Sequence, residues 1–397
     1  MGDGEYDRKY PIRFTVVALS LSLEKFRMGE QISRTDWWTI ELEGMPHFEM
    51  AMKRVYAWFE NQIIDRPPIR FQAHNSFLAT ATEDIANASQ QEKRNWWFDV
   101  ETQVDLFLQS VEKRRFHGET FPVFFPNLGP DVYAAFYGAE LEFGEITSWS
   151  VPCVHSSEDI EKLSFDWNNV YFKKLEELTY HALERCKGKA LVGYTDLHPG
   201  LDCVAAWRDP QQLCFDMIDL PEFVEQLAEL ALGDFEMIYN HFDGILKQAG
   251  QPSVSWMGIP TFGRMHIPSC DFATLISPKF FQRFGLPILQ EEVKTMSHNI
   301  FHVDGQGVAK NIDTILSVPE VHAVQWVQGM GDDYPIMQWA PFIKDLQSRE
   351  IPIVVDLDKT DLDEFIEVMD PKGLFLWVAT ENEAEELEIL KRIENWT

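Results

Sequence analysis

Phe301-His302-Val303-Asp304-Gly305-Gln306-Gly307 closes a short apolar run with a histidine and a carboxylate two residues apart. On a β-strand, residues i and i+2 face the same side, so His302 and Asp304 would look into one space. Gly305 and Gly307 then allow the backbone to turn sharply or to approach a ligand closely. Working outward in both directions, the same arrangement recurs about eight times: an apolar run ending in polar residues.

Upstream, Phe48, Met52, Val55, Phe59 and Ile63 share one helical face, Pro67-Pro68 stops that helix, and 69–73 reads as a first strand. Residues 121–125 end in Pro126-Asn127-Leu128-Gly129, and 190–194 in Thr195-Asp196-Leu197-His198. Residues 253–259 have the character of a hairpin arm, 265–269 lead to Cys270-Asp271, and 300–301 to the His302/Asp304 pair. Downstream, 323–327 end in Gln328-Gly329, 351–355 in Asp356, and 373–378 in Thr380-Glu381. Helical patterns fill the intervals at 160–186, 221–249, 278–298, 308–317, 338–349, 359–369 and 382–394. This alternation, without long hairpin signals, predicts a parallel sheet with crossover helices. Eight such units over residues 46–397 predict an α/β protein with a (β/α)8 or TIM barrel, whose chemistry sits at the C-terminal strand ends. Residues 1–45, with Trp37 and Trp38, lack periodicity and are expected to form an N-terminal helical or irregular arm or cap.

Bulk composition narrows the partners. The 34 Lys and Arg against 64 Asp and Glu give a formal net charge of −30, which repels phosphate backbones and anionic lipid. Nucleic-acid and membrane binding are therefore not expected. No apolar run is long enough for a transmembrane helix. The five cysteines (Cys153, Cys186, Cys203, Cys214, Cys270) show no metal-binding spacing and fit free thiols. With a charged N-terminus lacking an apolar signal core, the expected location is cytoplasmic.

The candidate site residues lie at the predicted strand ends. Asp196 and His198 form a second i, i+2 pair, suited to acid/base work or to ligand contact; the alternative is that Asp196 caps a turn and His198 satisfies the backbone. Asp271 would be a proton donor if buried, because an apolar setting raises a carboxyl pKa; its competing role is to cap the helix near Ser277-Pro278. Cys270 beside it is a packing residue, with no flanking cation to activate the thiol. Asn127, Gln325 and Gln328 would orient a polar ligand. Trp256, Trp326 and Trp377 would line an apolar cleft for an aromatic or methylated ligand, or pack the core. Arg208 and Arg264 are the cations near strand-end loops, each able to hold a carboxylate or to sit in a surface salt bridge. Glu381 could equally be the N-terminal acid of the last helix.

From about residue 48 onward the chain resembles the uroporphyrinogen decarboxylase superfamily. The resemblance is carried by residues 51–71 (AMKRVYAWFENQIIDRPPIRF), by 270–278 (CDFATLISP) followed by Phe280-Phe281 and Leu286-Pro287, by the His302-Val303-Asp304-Gly305 turn, and by the 373–380 strand. It implies a (β/α)8 barrel with a deep cleft at the strand ends. It also implies either the decarboxylase of haem synthesis or a methyltransferase exchanging methyl groups with corrinoid proteins, with homodimerisation.

The decarboxylase carries an RQAGR-like segment where this chain has Phe71-Gln72-Ala73-His74-Asn75, so His74 stands near the expected substrate contact and the arginine is missing. Asn127 or a neighbour replaces its aspartate, and its histidine after the last strand is absent. Removing one side of a desolvated ion pair costs about 3–5 kcal/mol, which argues against the many-carboxylate substrate. Zinc-dependent methyltransferases of the superfamily use His-x-Cys and a later Cys. Here His302-x-Asp304 and Glu381 occupy comparable places, a set suited to Zn2+ or another divalent ion. The expected function is thus transfer of a methyl group between a small methylated substrate and a corrinoid carried by a partner protein. Asp196, His198, Asp271, His302 and Asp304 would do the chemistry. The alternatives are a decarboxylase or other lyase acting on a smaller acid, and a non-catalytic ligand-binding barrel.

Overall fold

The computed structural model describes residues 40–73, 85–112, 114–329 and 331–396. The expected arm over 1–45 falls largely outside the described residues. Its last part is described: Leu42 and Met45 are buried, and the Glu43 N–H donates to Gly188 O.

Among the described residues there are ten strands: β1 (Ile69–Ala73), β2 (Val123–Phe124), β3 (Glu140–Phe143), β4 (Ser148–Val151), β5 (Leu191–Val192), β6 (Met265–His266), β7 (His298–Asp304), β8 (Ala323–Val327), β9 (Ile353–Leu357) and β10 (Leu374–Thr380). Six form a curled sheet in the order β1-β10-β9-β8-β7-β6. Every pairing in it is parallel, with helices between successive strands. β2 and β5 make a separate parallel pair. Backbone bonds from Glu119 N to Ile69 O and from Tyr194 N to Val254 O run along the flanks of that pair.

The sheet is therefore a half-barrel of six strands plus a pair, where eight full strands were expected. Proline explains the shortening of β2 and β6, since it cannot donate to a ladder. Pro122 and Pro126 bracket β2, and Pro268 ends β6 after two residues, leaving Ser269 to make an isolated bridge to His302. The 253–259 run, between Pro252 and Pro260, holds no strand; Ser253 bridges Thr261 instead. An antiparallel hairpin, β3 with β4, lies where no strand was predicted.

The long helices predicted at 221–249 and 278–298 are broken. The first divides at Asp234 into Pro221–Gly233 and Phe235–Gln248. In the second, a single π turn, Phe281–Gly285, precedes the helix Leu286–Val293, whose early Pro287 cannot supply a helical donor. Helices Gln90–Trp97, Val100–Val111, Leu201–Arg208 and Pro210–Asp219 were not predicted.

The first strand is fixed from below by a buried acid. Glu119 is 0% exposed, pairs with Arg66 and Arg54, and accepts the Ile69 N–H. With β1 held there, the strands run side by side and their C-terminal ends gather the polar residues described next.

Candidate active site

β7 alternates as the sequence required. Phe301 and Val303 are buried at 1% and 0%, which leaves His302 and Asp304 on the other face. Both glycines of the turn have work to do. Gly305 takes φ +70°, and a Cβ on Gly307 would collide with the Thr274 side chain. That close approach packs the helix Gly305–Ala309 against the 3-10 turn Asp271–Leu275, which begins at Asp271. As a result, ligand-type atoms of Asp271, His302 and Asp304 all lie within 4.8 Å of one another.

Gln325, lateral neighbour of His302 in β8, sets the imidazole. Its Oε1 lies 2.7 Å from His302 Nδ1. An amide oxygen only accepts, so Nδ1 donates to it, and the ring is held with Nε2 as its other nitrogen. Trp256 packs edge-to-face against the ring, centroids 5.3 Å apart. Asp271 is exposed rather than buried; the partial desolvation of its carboxyl by the surrounding protein, then the charge of Asp202, raises its pKa to about 6, against the opposing pull of His302 and His198.

Asp196 and His198 meet as well. His198 Nε2 lies 2.8 Å from Asp196 Oδ1, and Nδ1 lies 2.8 Å from Ser269 Oγ. Burial works against the His198 charge, but Asp196, Asp202 and Asp271 outweigh it and push the pKa up to about 10. His198 is thus an imidazolium at neutral pH, donating to Asp196 and to Ser269 Oγ. Ser269 in turn donates to Asp202 Oδ2 at 3.3 Å. Asp202 accepts the Asp271 and Phe272 N–H groups at 3.1 and 2.8 Å. The relay therefore positions the backbone that carries Asp271, and both ring nitrogens of His198 are spent within it.

The other candidates separate. Glu381 is exposed, 3.4 Å from Lys359 Nζ, and stands outside the Asp271/His302/Asp304 group, so the third ligand-type residue beside His302 and Asp304 is Asp271 instead. Arg264 precedes β6, at the opposite end of the strands. It is held there by Asn240 and Thr295, with Glu236 at 3.6 Å. Arg208 is tied to Asp216 and Val154 O. Asn127 Oδ1 accepts the Gly129 N–H and shapes the turn after β2. Gln328 donates to Tyr334 O and Asp356 O. Trp326 is wholly buried among Trp339 and Phe342. Asp271 does not cap the following helix; Ser277 does. The Cys270 thiol is buried, and that burial raises its pKa far above the usual thiol range. His74 lies outside the described residues.

Arg70, Asp356, Asp202 and Ser269 were missed. Arg70 lies in β1 beside Trp377, which neighbours Asp356 in turn. Burial raises the Asp356 carboxyl to about 6, with His302 and Arg70 opposing. A polar residue inside an apolar strand was the available signal: Arg70 within 69–73, and Asp356 at the end of 351–355.

No protein-family profile matches the chain, and no curated protein matches it. Among solved structures it is similar to a methyltransferase from Methanosarcina mazei, with a TM-score of 0.59 and 13% identity, over 87% of this chain and 98% of that one. At that identity the likeness is one of fold: this chain has the α/β architecture of that methyltransferase.

Proposed function

We propose that this protein is a methyltransferase of the uroporphyrinogen decarboxylase type, built on a closed (β/α)8 barrel. It would move a methyl group between a small methylated substrate and a corrinoid protein. The observation that carries this reading is the convergence of Asp271, His302 and Asp304 at one end of the sheet, with His302 Nδ1 engaged by Gln325. The fold likeness to a methyltransferase supports it.

The donor set fits a divalent ion such as zinc. It offers one imidazole nitrogen, oriented by an outer amide as metal-bound histidines are, and two carboxylates. Atoms bound to one tetrahedral zinc at about 2.0–2.1 Å stand about 3.3 Å apart, so small rotations of Asp271 and Asp304 would close the present spread. An ion held there would act as a Lewis acid on the heteroatom that carries the methyl group.

The protein's own groups do the rest. Trp256 beside His302 gives an apolar wall for the methyl group. The fixed charge of His198 lowers the cost of negative charge developing nearby. A cytoplasmic location and a homodimer belong to the same reading. The test is methylation of free reduced cobalamin by a panel of O-, N- and S-methylated small molecules. Transfer that disappears in His302→Ala supports the assignment, and no transfer from any member contradicts it.

A second reading, a decarboxylase or other lyase, is favoured by one observation. Two carboxyls, Asp271 and Asp356, are raised to about 6 and could protonate a carbanion. Release of carbon dioxide from a small acid, undiminished by chelators, would select it.

A further inference from the structure

Arg70 is an interior cation without an ion pair among the described residues. It sits in β1 between Ile69 and Phe71, which are buried at 0% and 2%, so its side chain points to the opposite face. Its guanidinium lies over the Trp377 ring at 4.4 Å and donates one N–H to Met257 O. The backbone closes in behind it: a Cβ on Gly258, which has φ +66°, would stand 3.1 Å from Arg70 Cζ. Yet no carboxylate among the described residues comes within ion-pair distance, in a chain with 64 acids. Arg54, Arg66 and Arg208, whose side chains are 9–12% exposed, each have one. Asp356 is near enough to be felt but does not pair. A half-buried guanidinium clamped on two sides, with other N–H groups that find no acceptor among the described residues, is a fork prepared for an anion.

The place of that fork indicates the ligand. The segment 256–258 links the two residues, with Trp256 against the His302 ring and Met257-Gly258 against Arg70. Asp356 acts electrostatically on both His302 and Arg70. A phosphate dianion would meet one cation and the carboxylates Asp356, Asp271 and Asp304, so a monoanion is favoured.

From this geometry we infer that Arg70 binds the carboxylate of a small substrate whose methyl-bearing heteroatom lies a few atoms away, at His302. The inference rests on the methyl-transfer reading for what happens at His302, but the anion site is tested by binding alone.

The experiment compares methoxyacetate with its neutral counterpart 2-methoxyacetamide, by calorimetry or saturation-transfer NMR on the full chain. The expected result is at least tenfold tighter binding of the carboxylate. Arg70→Gln should bring the two within about twofold of each other, while Arg70→Lys, which keeps charge but loses the fork, should retain part of the preference. If Arg70→Gln is unfolded by circular dichroism, the Arg70→Lys loss decides. Equal binding of the two probes to the wild type, binding of neither, or a preference unchanged in both variants overturns the inference. None of these outcomes depends on whether methyl transfer occurs.

Discussion

Gln325 stands outside the Asp271/His302/Asp304 group, yet it fixes the His302 ring through Nδ1. Outer partners of metal-bound histidines typically carry 10–100-fold in affinity. Gln325→Leu should therefore weaken zinc binding by about 10–100-fold in a competition titration with a chromophoric chelator, with little change in melting temperature. An unchanged affinity would mean that His302 is not a ligand. His198 makes a separate prediction. Its folded pKa, about 10, lies above the ordinary 6.5, so its contribution to stability is complete below about pH 6.5 and is lost as pH rises toward 10. NMR should find this ring protonated at pH 8. The melting temperature of the wild type should fall between pH 7 and 10 more steeply than that of His198→Gln; parallel curves would contradict the charge assigned to it.

Two elements hold the site in register. The turn after β7 depends on Gly307, because the helix Gly305–Ala309 packs against the segment that starts at Asp271. Gly307→Ala would force these apart at a cost of about 1–3 kcal/mol, and should lower metal affinity along with the urea midpoint. Beneath β1, Glu119 neutralises two arginines and receives a backbone N–H. Glu119→Gln leaves Arg66 buried without its charge partner and should cost about 3–5 kcal/mol in urea unfolding. The i, i+2 rule on β7 placed His302 and Asp304 from sequence alone, since side-chain alternation is a local property. Asp271 could be named as a candidate but not seated, because its position depends on Asp202, Ser269 and His198, which are remote in sequence. Arg264 and Glu381 illustrate the converse. Sequence shows that a charge lies near a strand, but not which end of the sheet it serves or whether a lysine already occupies it.

At the scale of the whole molecule, the α/β class and the long strands β1 and β7–β10 were legible, because each holds an apolar run that ends in polar residues. The strands β2, β5 and β6 fall inside the predicted runs 121–125, 190–194 and 265–269 but are cut to two residues, and the β3–β4 hairpin with its exposed Trp149 and Val151 was not predicted. Their pairing is settled by tertiary neighbours rather than by local pattern. Arg70 escaped notice for a related reason: a single charged residue inside a strand shows its side only once the register with Trp377 and Asp356 is known. The net charge of −30 bears on cation capture as well, since an acidic surface raises the local concentration of divalent ions. The most direct test of the centre formed by Asp271, His302 and Asp304 is the metal content of the full chain after dialysis against zinc, read by elemental analysis. One tightly held ion per chain is predicted for the wild type and for Glu381→Gln, with loss of that ion in a His302→Ala, Asp304→Asn double variant. Retention of the ion by the double variant, or no bound ion in the wild type, would contradict it.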